Sequence, residues 1–412
     1  MKRLLPFSFL SLAFTGTFAQ NLTTDQLLGQ LNTITTAVPF LLISPDSRAG
    51  GMGDAGVASS PDANSMHWNP SKYGMIEKKM GLGISYTPWL RALVPDINLA
   101  YVSFFYKPSK RGTFATSMRY FSLGNITFTD IVGNPIGQYN PSEFSLDMGY
   151  AIKLSDNLSL GGAFRYIHSN LTSGVPVNGA ASHAGNAIAA DISGFYQNDK
   201  IEVSGKDAIM GFGLNISNIG SKISYTNTGT KDFIPINMRL GGSLEIELDD
   251  YNSICFVTDF NKLLVPTPPV YEIDPNTNTY VIGPNGGYVI AAGKDPDRSI
   301  VSGMFGSFAD APGGGREELK EVIIAGGLEY WYGKPKIFAF RMGYFNEAAT
   351  KGNRKYFTFG IGVKYNAFGL DVAYLVPTVQ RNPLQNTLRF SMIFDFSSSK
   401  KDNDSGDSSP KE

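Results

Sequence analysis

One cysteine, Cys255, in 412 residues removes any disulfide framework at the outset. There is also no long apolar stretch. A helix that crosses a bilayer needs roughly 18 or more such residues in a row, so a helical inner-membrane protein is excluded. Basic and acidic residues balance to a net charge of −1, which gives no footing for a nucleic-acid partner, since such binders carry a basic excess. Histidine is scarce as well: His67, His168 and His183 are the only imidazoles available as the usual general base. No spacing of Asp, Glu, His or Cys marks a metal site, and the scattered acids Asp130, Asp295 and Asp297 lack the pattern of a calcium loop. No cofactor is expected. What the chain has in quantity is glycine (45), phenylalanine (28) and tyrosine (20).

The N-terminus reads as a secretory signal peptide over residues 1–19. Lys2 and Arg3 precede an apolar run from Leu4 to Phe14, and Thr17, Phe18 and Ala19 offer a cleavage site. No cysteine follows that site, which excludes a lipid anchor on a mature N-terminus. At the other end, residues 397–412 are too polar to bury a core and read as a disordered tail.

Between these ends the dominant signal is strict alternation, the period of a strand with one apolar face. Phe144, Leu146, Met148, Tyr150 and Ile152 alternate with Ser145, Asp147, Gly149 and Ala151. The same pattern returns in Met210, Phe212 and Leu214, in Met238, Leu240 and Leu244, in Phe357, Phe359 and Ile361, and in Leu388, Phe390, Met392, Phe394 and Phe396. The apolar face suits lipid. The other face carries Asp147, Arg239, Glu245, Asp259, Glu329, Arg341, Lys364 and Arg389, which suits a polar lumen in which charges pair with one another or with the N-terminal segment.

Fourteen such segments are predicted, near 80–87, 98–106, 114–123, 144–154, 158–168, 188–196, 207–217, 236–248, 251–260, 320–332, 336–345, 356–366, 368–375 and 387–396. Their connections sort by parity: long after odd segments (124–143, 169–187, 218–235, 261–319, 376–386), short after even ones (155–157, 249–250, 333–335, 366–367). A transmembrane barrel has short periplasmic turns and long external loops in just this alternation. The expected fold is therefore all-β: one antiparallel outer-membrane β-barrel over residues 80–396, in contact with outer-membrane lipid. The link at 197–206 is longer than the rule wants.

Residues 20–79 are patterned differently and read as an N-terminal plug. Helix-like text runs from Thr24 to Ile34, and a glycine-rich passage holds Gly51, Gly53, Asp54 and Gly56, followed by Trp68, Asn69 and Pro70. A phosphate loop is excluded because its Lys-Ser/Thr is missing. Glycine here lets the backbone turn and pack against the barrel's inner wall.

These residues resemble a known family. The text from Val38 to Val57, the Trp68-Asn69-Pro70-Ser71-Lys72-Tyr73 segment, and Asp259 to Pro269 with its Leu263-Leu264-Val265-Pro266-Thr267-Pro268-Pro269 are similar to the PorV (LptO) family of FadL-like outer-membrane barrels, from the type IX secretion system of Bacteroidetes. The resemblance implies a non-enzymatic protein. It would bind secreted cargo through the cargo's conserved C-terminal domain at the SprA (Sov) translocon barrel and deliver it to the PorU-containing attachment complex. The 261–319 loop fits a docking role, because long loops tend to be functional and exposed apolar groups mark partner sites. Partner-binding residues are expected at Leu264, Val265, Pro266, Pro268, Pro269 and Tyr271, with Tyr280, Ile282 and Tyr288 further along. A loop that folds inward to occlude the pore is the competing reading of this segment. Three rivals to the secretion role are a FadL-like channel for hydrophobic solutes, an outer-membrane hydrolase or lipopolysaccharide deacylase, and a purely structural barrel. For the hydrolase, His168 and Ser169 are adjacent on one strand and so point to opposite faces.

Overall fold

The computed structural model describes residues 31–91, 94–130, 132–172, 174–176, 181–227, 231–379 and 382–396. The signal peptide at 1–19, most of the expected Thr24 to Ile34 helix and the tail at 397–412 lie outside them. The described end of that helix, residues 31–34, is not helical.

Fourteen antiparallel strands close into one barrel. They are β1 (Met80–Pro88), β2 (Asn98–Tyr106), β3 (Gly112–Ser122), β4 (Ser142–Lys153), β5 (Leu158–Asn170), β6 (Gly185–Val203) and β7 (Lys206–Gly220). The second half comprises β8 (Asn237–Asp249), β9 (Asn252–Leu263), β10 (Ile323–Tyr332), β11 (Phe338–Asn346), β12 (Lys355–Tyr365), β13 (Phe368–Pro377) and β14 (Leu388–Phe396). Each strand pairs with its neighbours in sequence, and β14 returns to β1 with Met80 opposite Phe396. All fourteen expected segments are strands. The long 197–206 link is corrected: β6 runs on to Val203, and Ser204-Gly205 is a tight turn before β7. Its polar residues hide the extension, because a strand that projects past the bilayer no longer needs an apolar face.

Alternation is written on the two surfaces. Met148, Phe164, Phe212, Leu240, Phe359 and Phe390 are exposed on the outside, while Ser145, Asp147, Arg165, Asp259, Glu329 and Arg389 are buried within. No described helix is long and apolar enough to cross a membrane; the strands make the crossing.

The buried core lies inside the barrel and mixes wall with N-terminal segment. Val38, Phe40 and Leu41 pack with Leu99, Phe121 and Ile167. Met52 and Ala55 pack with Val257, Ala325 and Tyr356, and Met66, Tyr73 and Ile76 with Phe105 and Ala151. Asn32 lies at the long-loop rim, where its backbone N–H donates to Thr350 O. Ile76 lies at the short-turn rim, where its carbonyl accepts from Lys107. The segment therefore threads the lumen from one rim to the other.

Met148 is 62% exposed in the middle of the lipid face. Replacing it with arginine, Met148→Arg, is expected to cost about 2–4 kcal/mol. The midpoint of unfolding in urea, read by the mobility shift of unheated barrel on SDS gels, should fall accordingly; an unchanged midpoint would place this face away from lipid.

Candidate functional site

Two features stand out: the plug that fills the lumen and the long loop above it. The plug is built by its motif residues bonding to each other first. Asp46 begins the short helix Ser47–Gly50 by accepting from Ala49 N at 3.0 Å, and its other oxygen accepts from Trp68 Nε1 at 2.6 Å. Trp68 lies flat against Gly56, where any Cβ would stand 2.5 Å from the indole. Asn69 spans the motif: its amide donates to Val57 O at 3.0 Å and to Gly194 O of the wall at 3.1 Å. Pro70 opens the 3-10 helix Pro70–Met75, in the first-turn position where its missing N–H costs nothing.

The plug then bonds outward to the wall. Asp259 accepts from Gly56 N at 2.7 Å and Val57 N at 2.9 Å. Arg48 donates to both oxygens of Glu329, at 2.9 and 2.8 Å, and pairs with Asp62 at 2.9 Å. Arg341 meets the same Glu329 at 2.7 Å and Asp371 at 2.6 Å. Asp54, held at a positive φ of 62°, accepts from Tyr356 OH at 2.6 Å and pairs with Arg389. Gly53 turns at φ 73°, and a Cβ there would lie 2.7 Å from backbone atoms of Gly326 and Tyr344, so only glycine lets the plug touch the wall here.

Every motif residue singled out in the sequence therefore lies in one assembly, with Gly51 against Gly360 and Gly53 N donating to Thr358. The lumen charges pair as expected. Asp147 meets Arg165 at 2.5 Å, Lys364 meets Asp395 at 3.1 Å, Glu245 meets Lys336, and Arg239 donates to His67 O at 2.9 Å.

Above the plug remains a cavity of about 380 Å³, with Trp68 and Arg239 at its floor and Ile34, Glu321 and Lys351 near the rim. No lateral gap opens through strands β2 to β4, whose register is continuous. The register shift between β6 and β7 beside Asp191 is filled by Arg165 and Asn218.

The long loop divides into a base and a tip. Leu264 and Val265 are buried with Ile236, flanked by Phe233, Ile300 and Met304, and Pro266 is buried beside Gly303. These three shape the base and do not face solvent, which departs from the expected arrangement; Pro268, Pro269 and Tyr271 are partly open. The tip is built from four very short strands, Val270–Tyr271, Ile273–Asp274, Thr279–Tyr280 and Ile290–Ala292, around Glu272, Val281 and Val289. Glu272 N donates to Val289 O at 2.8 Å, Val281 N to Glu272 O at 2.9 Å, and Val289 N to Val281 O at 2.9 Å. That ring places the preceding residues, Tyr271, Tyr280 and Tyr288, in mutual contact with centroids 5.1 to 5.9 Å apart. Tyr280 and Tyr288 are 51% and 56% exposed. The base is packed in and the tip is exposed.

Sequence reasoning missed what fastens the base: Asn32, Lys262, Lys351, Glu317, Glu318 and Glu321. Partial burial pushes the Glu318 carboxyl up, but N–H donors from Ala311 and Asp310 together with Lys262 outweigh it and hold the group below the ordinary carboxylate range. Charged residues in loops look solvated in a sequence, and only the fold brings these together.

None of the three histidines sits beside a nucleophile positioned for catalysis. His67 lies between Arg119, at 2.7 Å, and Arg239. His168 packs on Phe144 on the lipid side and meets Asn186 at 2.9 Å. Exposed His183 contacts Ala184 O, while Ser182 bonds to Thr172 and Val175. Among the described residues no group of acids, histidines or cysteines could hold a metal.

The model of the family described as type IX secretion system protein PorV matches residues 26–270, more than half of the chain. The chain belongs to the PorV family. It is an outer-membrane component of type IX secretion. No curated relative matches it. Among solved structures it is similar to the Ralstonia pickettii toluene transporter TbuX, with 11% identity, 85% of this chain and 98% of that one covered, and a TM-score of 0.46. A Pseudomonas aeruginosa FadL homologue also matches, with 11% identity, 89% and 100% covered, and a TM-score of 0.42. The matched range takes in the glycine-rich and Trp-Asn-Pro text of the plug and the Pro-rich text of the loop base.

A Cβ on Gly327 would stand 2.5 to 2.6 Å from Met52 of the plug. Gly327→Val is expected to dislodge the plug while the barrel stays closed. Planar-bilayer recording should then show stepwise conductance where the parent protein is silent; silence in both would show that the plug tolerates the added bulk.

Proposed function

We propose that this protein binds secreted cargo through the cargo's conserved C-terminal domain at the SprA (Sov) translocon barrel and delivers it to the PorU-containing attachment complex, without itself catalysing a reaction. The observation that carries this reading is the ring-closed tip of the long loop. Three tyrosines, fixed by backbone hydrogen bonds, stand at the outer rim with Ile273 and Ile282 also exposed. Tyrosine gives large contact area at low entropic cost, and aromatic residues dominate interface energetics. A pre-ordered tip loses little freedom on docking.

The alternative, a channel for hydrophobic solutes, draws support from the cavity above the plug. Against it stand the ion pairs that tie the plug to the wall and the side chains that occupy the register shift beside Asp191.

The test is an affinity pull-down of tagged protein from detergent-solubilised outer membranes, with partners identified by mass spectrometry. Replacing Tyr271, Tyr280 and Tyr288 by serine should reduce recovery of a giant barrel, or of proteins sharing one C-terminal domain, by about tenfold or more, given that single aromatic hot spots contribute about 2 kcal/mol. Equal recovery from parent and variant would sink the assignment of docking to this tip.

A further inference from the structure

At the outer rim, below the tip, three segments distant in sequence meet: the N-terminal segment at Asn32, the base of the long loop, and residues 347–354 between β11 and β12. Lys262 Nζ lies 3.0 Å from Glu318 and 2.6 Å from Glu321. Lys351 Nζ lies 2.5 Å from Glu317 and 3.0 Å from Glu321. Glu321 is thus shared by both lysines, and it also accepts from Thr267 Oγ1 at 2.8 Å. Lys262, Lys351 and Glu321 are all buried. Asn32 ties in the third segment: its side-chain amide donates to Pro268 O at 3.0 Å and to Glu317 at 3.1 Å, and its backbone N–H donates to Thr350 O at 3.0 Å.

Buried charges of this kind hold only as a set. Taking away one cation leaves carboxylates facing each other without compensation, which is strongly unfavourable. Such a network is made or broken together, unlike a row of independent surface pairs. The short helix Gly315–Lys320 carries Glu317 and Glu318 and is preceded by Gly313 and Gly314, with Gly314 at φ 66° and open space around Gly314 and the helix's first residue, Gly315. That is a hinge next to a clamp.

We propose that this network is a latch joining the long loop to the N-terminal segment. Closed, it holds helix Gly315–Lys320 against the rim and fixes Asn32 beneath it. Open, it frees both at once, so that a displacement of the loop is transmitted to Thr33, Ile34 and Thr35, which line the cavity above the plug. The latch belongs to the base of the loop and does not depend on which partner meets the tip.

Limited trypsin digestion of the full mature protein in nanodiscs, with peptides identified by mass spectrometry, tests it. Cleavage after Arg316 and Lys320, both exposed on the latched helix, needs local opening, and its rate follows the population of the opened form. Lys351→Met should raise that rate about tenfold or more, while Lys351→Arg should stay near the parent. Asn32→Ala, which removes no charge and lies far from the cleavage sites in sequence, should raise it by about threefold. The mobility of unheated protein on SDS gels reports that each barrel is intact; if Lys351→Met fails to fold, Glu317→Gln takes its place with the same expectation. Unchanged cleavage in the lysine or glutamate variant would overturn the latch. Faster cleavage there with no response to Asn32→Ala would overturn the coupling to the N-terminal segment, since a loop held by its own ion pairs would not sense that residue.

Discussion

Hydrocarbon offers no hydrogen-bond partners, so every backbone N–H and C=O that crosses the membrane must be satisfied within the protein. The pairing of β14 with β1, from Met80 opposite Phe396 to Tyr86 opposite Phe390, meets that requirement by leaving no strand edge. Once the circle is closed, alternation does the sorting. Each strand must turn its apolar side chains to lipid, and the remaining half of the residues face inward. The inward half is released from that demand and mixes apolar residues such as Leu99, Ile167 and Val257 with charges, and the next problem is what to do with a lumen that also holds Asp147, Arg165, Asp259, Glu329, Arg341 and Arg389.

The plug solves that problem, and its composition follows from it. A wall carboxylate such as Asp259 needs donors, and two successive backbone N–H groups at Gly56 and Val57 supply them. Glu329 needs cations, and receives one from the wall, Arg341, and one from the plug, Arg48. Desolvating these charges is expensive, and their mutual attraction offsets it only where geometry is good and remaining polar atoms are bonded. The glycines are what permit such geometry: Gly51 and Gly53 let the plug backbone approach the wall closely enough for hydrogen bonds without water between. Plug and wall are accordingly one core. The apolar clusters mix the two at every level, which is why the segment behaves as part of the fold and not as a tethered stopper.

Strands were legible because the bilayer enforces a period of two over nine or more residues, long enough to see in Phe144 to Ile152 or Leu388 to Phe396. The rule weakens where the bilayer ends. Gln197 to Val203 continues β6 with Asn198, Asp199 and Lys200 in it, and nothing in those letters says strand. The plug motif was legible as a unit, since Gly-rich text beside Trp-Asn-Pro reads as tight packing, but its partners were not: Gly56 meets Asp259 across 203 positions of sequence. The loop tip was invisible for a different reason. Its strands, such as Ile273–Asp274 and Thr279–Tyr280, are two residues long, too short for any periodicity, and only their closure into a ring aligns the tyrosines. Leu264, Val265 and Pro266 misled in the opposite direction, because an apolar run in a loop reads as exposed until a core is found for it.

That last reversal bears on how the loop works. A loop of nearly sixty residues held only at its ends would sample many conformations, and a partner would have to order it on binding, at an entropic cost that grows with every side chain immobilised. Burying Leu264, Val265 and Pro266 against Ile236 and the helix Ile300–Gly306 moves that cost into folding. The hydrogen-bonded ring does the same for the tip. The join between them and the rim is held differently, by the ion pairs of Lys262 and Lys351 with Glu317, Glu318 and Glu321, and under the latch proposed above it is the part that responds. Rigidity at the contact surface and a breakable bond at its root are the combination a docking loop needs if engagement outside is to be felt inside the barrel.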